Sequence, residues 1–474
     1  MTLLSESVNH VGMTLTSPRA TTPATRPIPR PDLKSALRWS LRQAAPAVSM
    51  KLGARTGDTF ARFNVDRALQ RNPLPVYDQL RAQGPIVPGR YMMTTARHDV
   101  SYQLLRHESF RSGIPDEMLP KPLRRLLAWA EDPLAVPFTE RPTMIMENGQ
   151  THLRIRRVAS RAFTPKAIDA LRARTEEIAD ELLDRMEHKH RDGSVADIVE
   201  EYAGTLPVLV IADILGVPAD LQPTFMTWGD RILQIAALGV PYRTYRDIEG
   251  ALREMNGWFL EHFAELRRNP GDNLLSRMVA ASDDEGRSGA GLSEQELMQT
   301  AGLLLFAGFE TTVNLIGSGT LRLLAHPDQL EILRAQPEYW RTAIDEMLRL
   351  DGPVQITARY PVEDVVIQGV KVPRGRMVAT LLAGANRDPA AFPDPNRFDV
   401  TRANAKEHLA LGAGVHICLG ASLARMEGEV GLGRLFERFP NLAKAGEPTL
   451  GPNALLRGYV HVPARLGEVT ARQL

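Results

Sequence analysis

His408-Leu-Ala-Leu-Gly-Ala-Gly-Val-His-Ile-Cys418-Leu-Gly-Ala-Ser-Leu-Ala-Arg425 holds the single cysteine of the 474-residue chain. Gly412 and Gly414 read as an irregular loop, and Leu419 to Arg425 as the first turns of a helix continuing towards Leu435. The sulfur of Cys418 then lies just outside a helix N-terminus. There, unpaired backbone N–H groups and the positive end of the helix dipole stabilise a thiolate. The competing reading is a free cysteine buried as a small hydrophobe.

A thiolate so placed is a good axial ligand for haem iron. Gly414, four residues before it, and Gly420, two after, let the backbone pass close to a flat ring without Cβ clashes. His416 can reach a haem propionate. The loop resembles the haem-binding loop of the cytochrome P450 family, whose pattern runs aromatic, two residues, Gly, three residues, Cys, one residue, Gly. Leu411 stands where that family usually has Phe.

A second stretch supports the resemblance. Ser293-Glu-Gln-Glu296 is a capping box, with Leu292 and Leu297 placed as its hydrophobic staple. The helix it opens can run to about Ala325, where His326-Pro327 stops it. In its middle, Phe306-Ala307-Gly308-Phe309-Glu310-Thr311-Thr312 sets Gly, an acid and two threonines inside an apolar helix. These break local rules together, as functional sites do. A hydroxyl at Thr311 can bond the Ala307 carbonyl, loosening the helix into a groove for dioxygen, and Glu310 can feed protons. This resembles the family's oxygen-activation motif, in which the acid is more often Asp, and implies that Ala307 and Gly308 border the cofactor.

Thr151 to Ala162 is a basic helix with His152 and Arg156 on one face at i and i+4. The resemblance makes these two haem-propionate partners, with Arg359 as another. By themselves the basic residues read as a solvated face, or as a surface greeting an acidic electron donor. Glu346 and Arg349, at i and i+3, are close enough to pair; the resemblance makes them a buried structural ion pair. It also implies substrate-pocket positions at Phe306, Phe309, Val354, Gln355, Ile356 and Leu455. Leu126, Trp129 and Phe138, in the proline-rich stretch 110–148, are contacts or core.

Lys and Arg number 57 against 56 Asp and Glu, which gives no reason to expect nucleic acid as a partner. No uninterrupted apolar run approaches the ~18 residues of a membrane span, and no signal-peptide core is evident. With one thiol, a reducing cytoplasm is expected. Residues 1–31 are rich in Thr, Pro, Ser and Ala and read as disordered. Residues 1–55 form a flexible tail with eight basic and two acidic residues and a short amphipathic helix. That helix either touches a membrane surface, with Trp39 as interfacial anchor, or lies on its own domain.

From Pro165 onwards, helices are expected over 165–190, 195–215, 218–238 and 242–268, with a polar loop at 283–291. Short strands follow over 360–373, turning at Gln368-Gly369, and a terminal hairpin runs from Arg457 to Pro463.

The resemblance spans roughly residues 70–465. It implies a mainly α fold with a small β region, residues 56–474 forming a single haem-thiolate domain, and a monomeric monooxygenase carrying haem b. Its thiolate pushes electron density towards bound oxygen and favours O–O cleavage. One cysteine cannot hold an iron–sulfur cluster, and no length remains for a flavin domain. The electrons are therefore expected from a separate ferredoxin or flavodoxin-type donor, with NAD(P)H acting only through its reductase. Two alternatives are a peroxide-driven peroxygenase and a non-enzymatic haem-thiolate sensor or carrier. The apolar pocket residues point to a lipophilic substrate.

Overall fold

The computed structural model describes residues 32–467, apart from 116, 117, 119, 162, 272, 288–290 and 452. The expected disorder of residues 1–31 lies outside them.

One helix, Glu294–Ala325, organises the molecule. Ser293 Oγ accepts the Glu296 N–H at 3.2 Å while the Glu296 carboxylate accepts the Ser293 N–H at 2.8 Å, so the capping box closes both ways. At the far end His326 leaves helical geometry ahead of Pro327. Ser293→Ala is expected to cost about 1 kcal/mol of stability, measurable as a shift in the denaturant midpoint. By length and composition this helix is apolar enough to cross a membrane, but most of it is buried inside the domain. Leu297, Ala301, Leu304, Ile316 and Leu323 join one large core with the helices Leu206–Leu215, Tyr242–Arg268 and Ala421–Arg438.

The β region is small. Met93–Thr95 runs parallel to Val378–Leu381, which pairs antiparallel with Ile356–Pro361, itself paired with Phe110–Arg111. Val365–Ile367 and Val370–Val372 form a hairpin in which Gln368 and Gly369 both take positive φ, at 45° and 79°. Two consecutive positive φ values suit a two-residue hairpin turn. Near the C-terminus, Tyr459–His461 pairs with Thr449–Leu450, and Pro463–Arg465 lies between Ala196–Asp197 and Ala443–Lys444.

Tyr242–Arg268 is helical over the expected span, but other expectations need correction. Residues 195–215 are not one helix: a short strand and a π-helical turn, Val199–Ala203, precede Leu206–Leu215. Pro207, which has no N–H to donate, sits in the first turn of the later helix, where its ring is tolerated. The start of the expected loop 283–291 is instead the last turn of Leu274–Arg287. Asp283 is held there by Arg267 at 3.1 Å.

The supposed flexible tail is, from residue 33, a docked helical segment. Leu33–Trp39 continues through a π-helical turn into Ala45–Arg55. Arg38, 2% exposed, gives Nε to Glu249 at 2.6 Å, and Trp39 Nε1 donates to the Val240 carbonyl at 2.8 Å. Trp39 thus faces its own domain, because the ion pair and the indole bond hold that side inward.

Candidate active site

The Cys418 loop is pinned before it reaches the sulfur. Leu409 N–H donates to Asn386 Oδ1 at 2.6 Å, and Cys418 N–H to the Leu411 carbonyl at 2.8 Å. Asp345 accepts from Arg425 Nε at 2.7 Å and lies 3.2 Å from His408 Nε2, tying both ends of the loop to the helix Trp340–Asp351. The helix after the cysteine begins at Ala421.

Cys418 has accessible surface, yet it lies deep enough that burial pushes its thiol up. The Gly420 N–H and the charges of Arg156 and Arg425 pull it back. The thiolate expected from the helix terminus alone is therefore not favoured by the protein by itself. Coordination to a metal would supply the missing stabilisation.

The two glycines differ in role. A Cβ on Gly420 would meet nothing within 4 Å, leaving open space beside the sulfur. Gly414 has φ +71°, and its Cβ would come within 2.4 Å of the Leu105 carbonyl. Its left-handed backbone and its packing against the helix His98–Arg106 both call for glycine.

The central helix faces the same region. Leu303 and Leu419 belong to one apolar cluster. Between buried residues 297–306 and 312–320, Ala307 is exposed and Gly308 to Thr311 are half-buried. Thr311 Oγ1 donates to the Ala307 carbonyl at 2.6 Å. The helix stays continuous through this point, so the expected loosening does not break it. Burial pushes the Glu310 carboxyl up; a bond to Asn314 opposes this and nearby Asp230 adds to it.

His152, Arg156, Arg359 and His416 converge beside the sulfur. The rings of His152 and His416 are 4.2 Å apart. Burial holds both imidazoles below their usual range, His416 at about 3, with Arg359 and Arg156 adding to the effect. Arg359, 7% exposed, donates to Thr357 Oγ1 and the Ala358 carbonyl. Among the described residues no carboxylate pairs with Arg156 or Arg359, and His152 Nε2 is buried without a partner. Such a cluster is costly unless anions complete it. Two carboxylates on a flat ring whose metal Cys418 would hold fit that requirement.

The expected pocket residues divide. Phe306 is buried and stacks on Phe138 at 4.8 Å. Phe306 and Phe309 border a small apolar cavity of about 10 Å³ with Ile211 and Phe225. Val354 packs with Leu409 and Ala413 of the cysteine loop. Ile356 is instead a core residue, packed in one cluster with Phe63, Val76 and Tyr77. Gln355 ties its amide to the Gly352 carbonyl at 2.7 Å. Leu455, 42% exposed, reaches Gln355 through its carbonyl. Trp129 lies on the outer surface, 52% exposed, with Lys34 Nζ 4.8 Å above its ring.

Glu427 escaped the sequence reading. It is 2% exposed, accepts from Thr312 Oγ1 at 3.1 Å, and burial pushes its carboxyl up to about 8. The available signal was one acid among Met426, Gly428 and Val430 on an otherwise apolar helix face. With its folded pKa above the unfolded value, its contribution to stability is full below about pH 4.5 and is lost as pH rises through about 8. Glu427→Gln is expected to be more stable than the parent at pH 8 and to flatten stability between pH 5 and 8. Denaturant titrations across that window check this.

The sequence profile of cytochrome P450 matches residues 136–455. A putative cytochrome P450 140 of Mycobacterium bovis is 40% identical over 435 residues, covering 92% of this chain and 98% of that protein. Vitamin D(3) 25-hydroxylase of Pseudonocardia autotrophica is 39% identical, covering 85% of this chain and 95% of that protein. Among solved structures, P450BioI in complex with an acyl carrier protein ligated to hexadec-9Z-enoic acid superposes with a TM-score of 0.74 at 31% identity, covering 85% of this chain and all of that one. A mainly helical fold whose cysteine loop packs, through Leu419, in one cluster with Leu303 of the central helix is that of a haem-thiolate protein. The chain belongs to the cytochrome P450 family. It is an oxidoreductase of the monooxygenase kind, and its family implies a haem iron cofactor.

Proposed function

We propose that this protein holds haem b on Cys418 and inserts one atom of O2 into a lipophilic small molecule as a hydroxyl group. The supporting observation is the gathering of His152, Arg156, Arg359 and His416, with no carboxylate among the described residues paired to either arginine, around the loop that carries Cys418. When bound, haem with a thiolate on its iron supplies oxygen activation and favours O–O cleavage. Cys418 Sγ is the ligand, with the Gly420 N–H directed at it. His152, Arg156, Arg359 and His416 hold the propionates and orient the ring. Glu310, its carboxyl pushed up by burial, keeps a proton to higher pH than an ordinary carboxylate and passes it towards Thr311 Oγ1. The Thr311 hydroxyl hydrogen goes to the Ala307 carbonyl, which fixes its remaining lone pairs.

Electrons come from a separate ferredoxin or flavodoxin-type protein reduced by an NAD(P)H-dependent reductase. The substrate class is a fatty acid, terpenoid, steroid or polyketide; Phe309 and the relative that hydroxylates vitamin D(3) favour a bulky apolar skeleton. Turnover under ¹⁸O2 with NADPH, reductase and ferredoxin should give product carrying one labelled oxygen. Equal product from hydrogen peroxide without the protein donors would favour the peroxygenase reading. Thr311→Ala is expected to lower product formed per NADPH consumed by roughly 10-fold or more, read from the ratio of product to NADPH oxidised.

A further inference from the structure

A cleft of about 160 Å³ opens where the helix Leu74–Gln83 begins, beside the ends of the central helix and of Trp340–Asp351. Cys418, Thr311 and His152 do not line it. Four arginines do, Arg71, Arg322, Arg387 and Arg457, against one carboxylate, Asp351. That carboxylate is already taken: Arg322 grips it with two bonds at 2.7 and 2.8 Å. Arg387 is 3.8 Å from it and donates to two uncharged acceptors, the Leu350 carbonyl at 2.8 Å and Asn396 Oδ1 at 3.0 Å. Arg457 gives its terminal nitrogens to the carbonyls of Gln70 and Arg71, which carry no charge either.

Two further features point the same way. The ten-residue helix Leu74–Gln83 starts without a side-chain cap, so the positive end of its dipole meets the cleft. Tyr77 lines the cleft, is 1% exposed, and its hydroxyl is buried without a partner. An orphaned donor of this kind costs free energy that a ligand accepting its proton would offset. Burial pushes the Tyr77 phenol up, so the hydroxyl keeps its proton at neutral pH.

We propose that this cleft binds a phosphoryl oxyanion, held by Arg71, Arg387 and Arg457 and by a hydrogen bond from the Tyr77 hydroxyl. Guanidinium forks match the geometry of a tetrahedral oxyanion. The chemistry is shared by inorganic phosphate and by a phosphomonoester whose remainder projects out of the cleft.

Isothermal titration of the haem-loaded protein with inorganic phosphate, at fixed ionic strength against sodium chloride, tests this. Saturable binding to phosphate and not chloride is expected. Tyr77→Phe, which removes one oxygen, and Arg71→Gln, at an exposed position, should each weaken it about fivefold. Their unchanged haem spectra and circular dichroism would show that both variants fold. A parallel titration with glycerol 3-phosphate separates the sources: comparable or tighter binding assigns the site to a phosphomonoester, and binding of phosphate alone assigns it to the free ion. Absence of saturable binding by both probes, or equal affinity in the parent and both variants, overturns the proposal.

Discussion

Replacing Cys418 with serine is expected to reduce monooxygenase turnover to background and to remove the thiolate signature from the absorption spectrum. This is the largest effect in the molecule. A serine hydroxyl is not ionised at neutral pH and donates far less electron density to iron than a thiolate, so the push that favours O–O cleavage is lost. The change leaves the loop's anchors in place, since the Leu409 to Asn386 bond and the Asp345 contacts to His408 and Arg425 do not involve the sulfur. Stability of the protein should therefore change much less than activity. Parallel measurement of turnover and of the denaturant midpoint separates the two. A serine variant with near-parental turnover would contradict the assignment of Cys418.

Glu346→Ala is expected to be the most damaging substitution for stability, by roughly 3–5 kcal/mol. Both side chains of the pair are fully buried, with Arg349 Nε 2.6 Å from Glu346 Oε2. Glu346 also accepts from Arg402 at 3.0 Å and from the Asp399 N–H at 3.2 Å. Arg349 reaches the carbonyls of Asn386 at 2.9 Å and Pro395 at 2.7 Å. Removing the carboxylate strands a buried guanidinium and frees the coil that leads to the cysteine loop. Because Asn386 in turn holds Leu409, the loss should reach Cys418. A loss of this size is a large share of the stability of an ordinary domain, about 5–15 kcal/mol, so low yield and weak haem retention are the expected observations. Urea titration of the haem-loaded variant is the check, and a midpoint close to the parent's would remove the structural role given to the pair.

What the sequence made legible was local. The capping box at Ser293 and the stop at His326-Pro327 delimit the central helix because both signals lie within a few residues of the boundary they set. The hydrogen bond from Thr311 to Ala307 follows from helical geometry alone. The Gln368-Gly369 turn is local in the same way.

What escaped depends on partners distant in sequence. The demand on Gly414 comes from the Leu105 carbonyl, more than 300 positions away, and no spacing within the loop reveals it. Arg38 reads as part of an exposed basic face until Glu249 is brought beside it. Ile356 and Val354 are both apolar neighbours of Arg359, yet one packs in the cluster of Phe63 and Tyr77 and the other against that of Leu409 and Ala413, all supplied by segments distant in sequence. Glu427 is buried only because its helix packs on the central one, where Thr312, 115 positions away, meets it. Periodicity identifies an apolar face but not what will cover it.

The most direct measurement is the absorption spectrum of the purified haem-loaded protein, reduced under carbon monoxide. A strongly red-shifted, thiolate-type Soret band that disappears in Cys418→Ser is the predicted result. A histidine-type band, or failure to retain haem, would contradict the account at its centre.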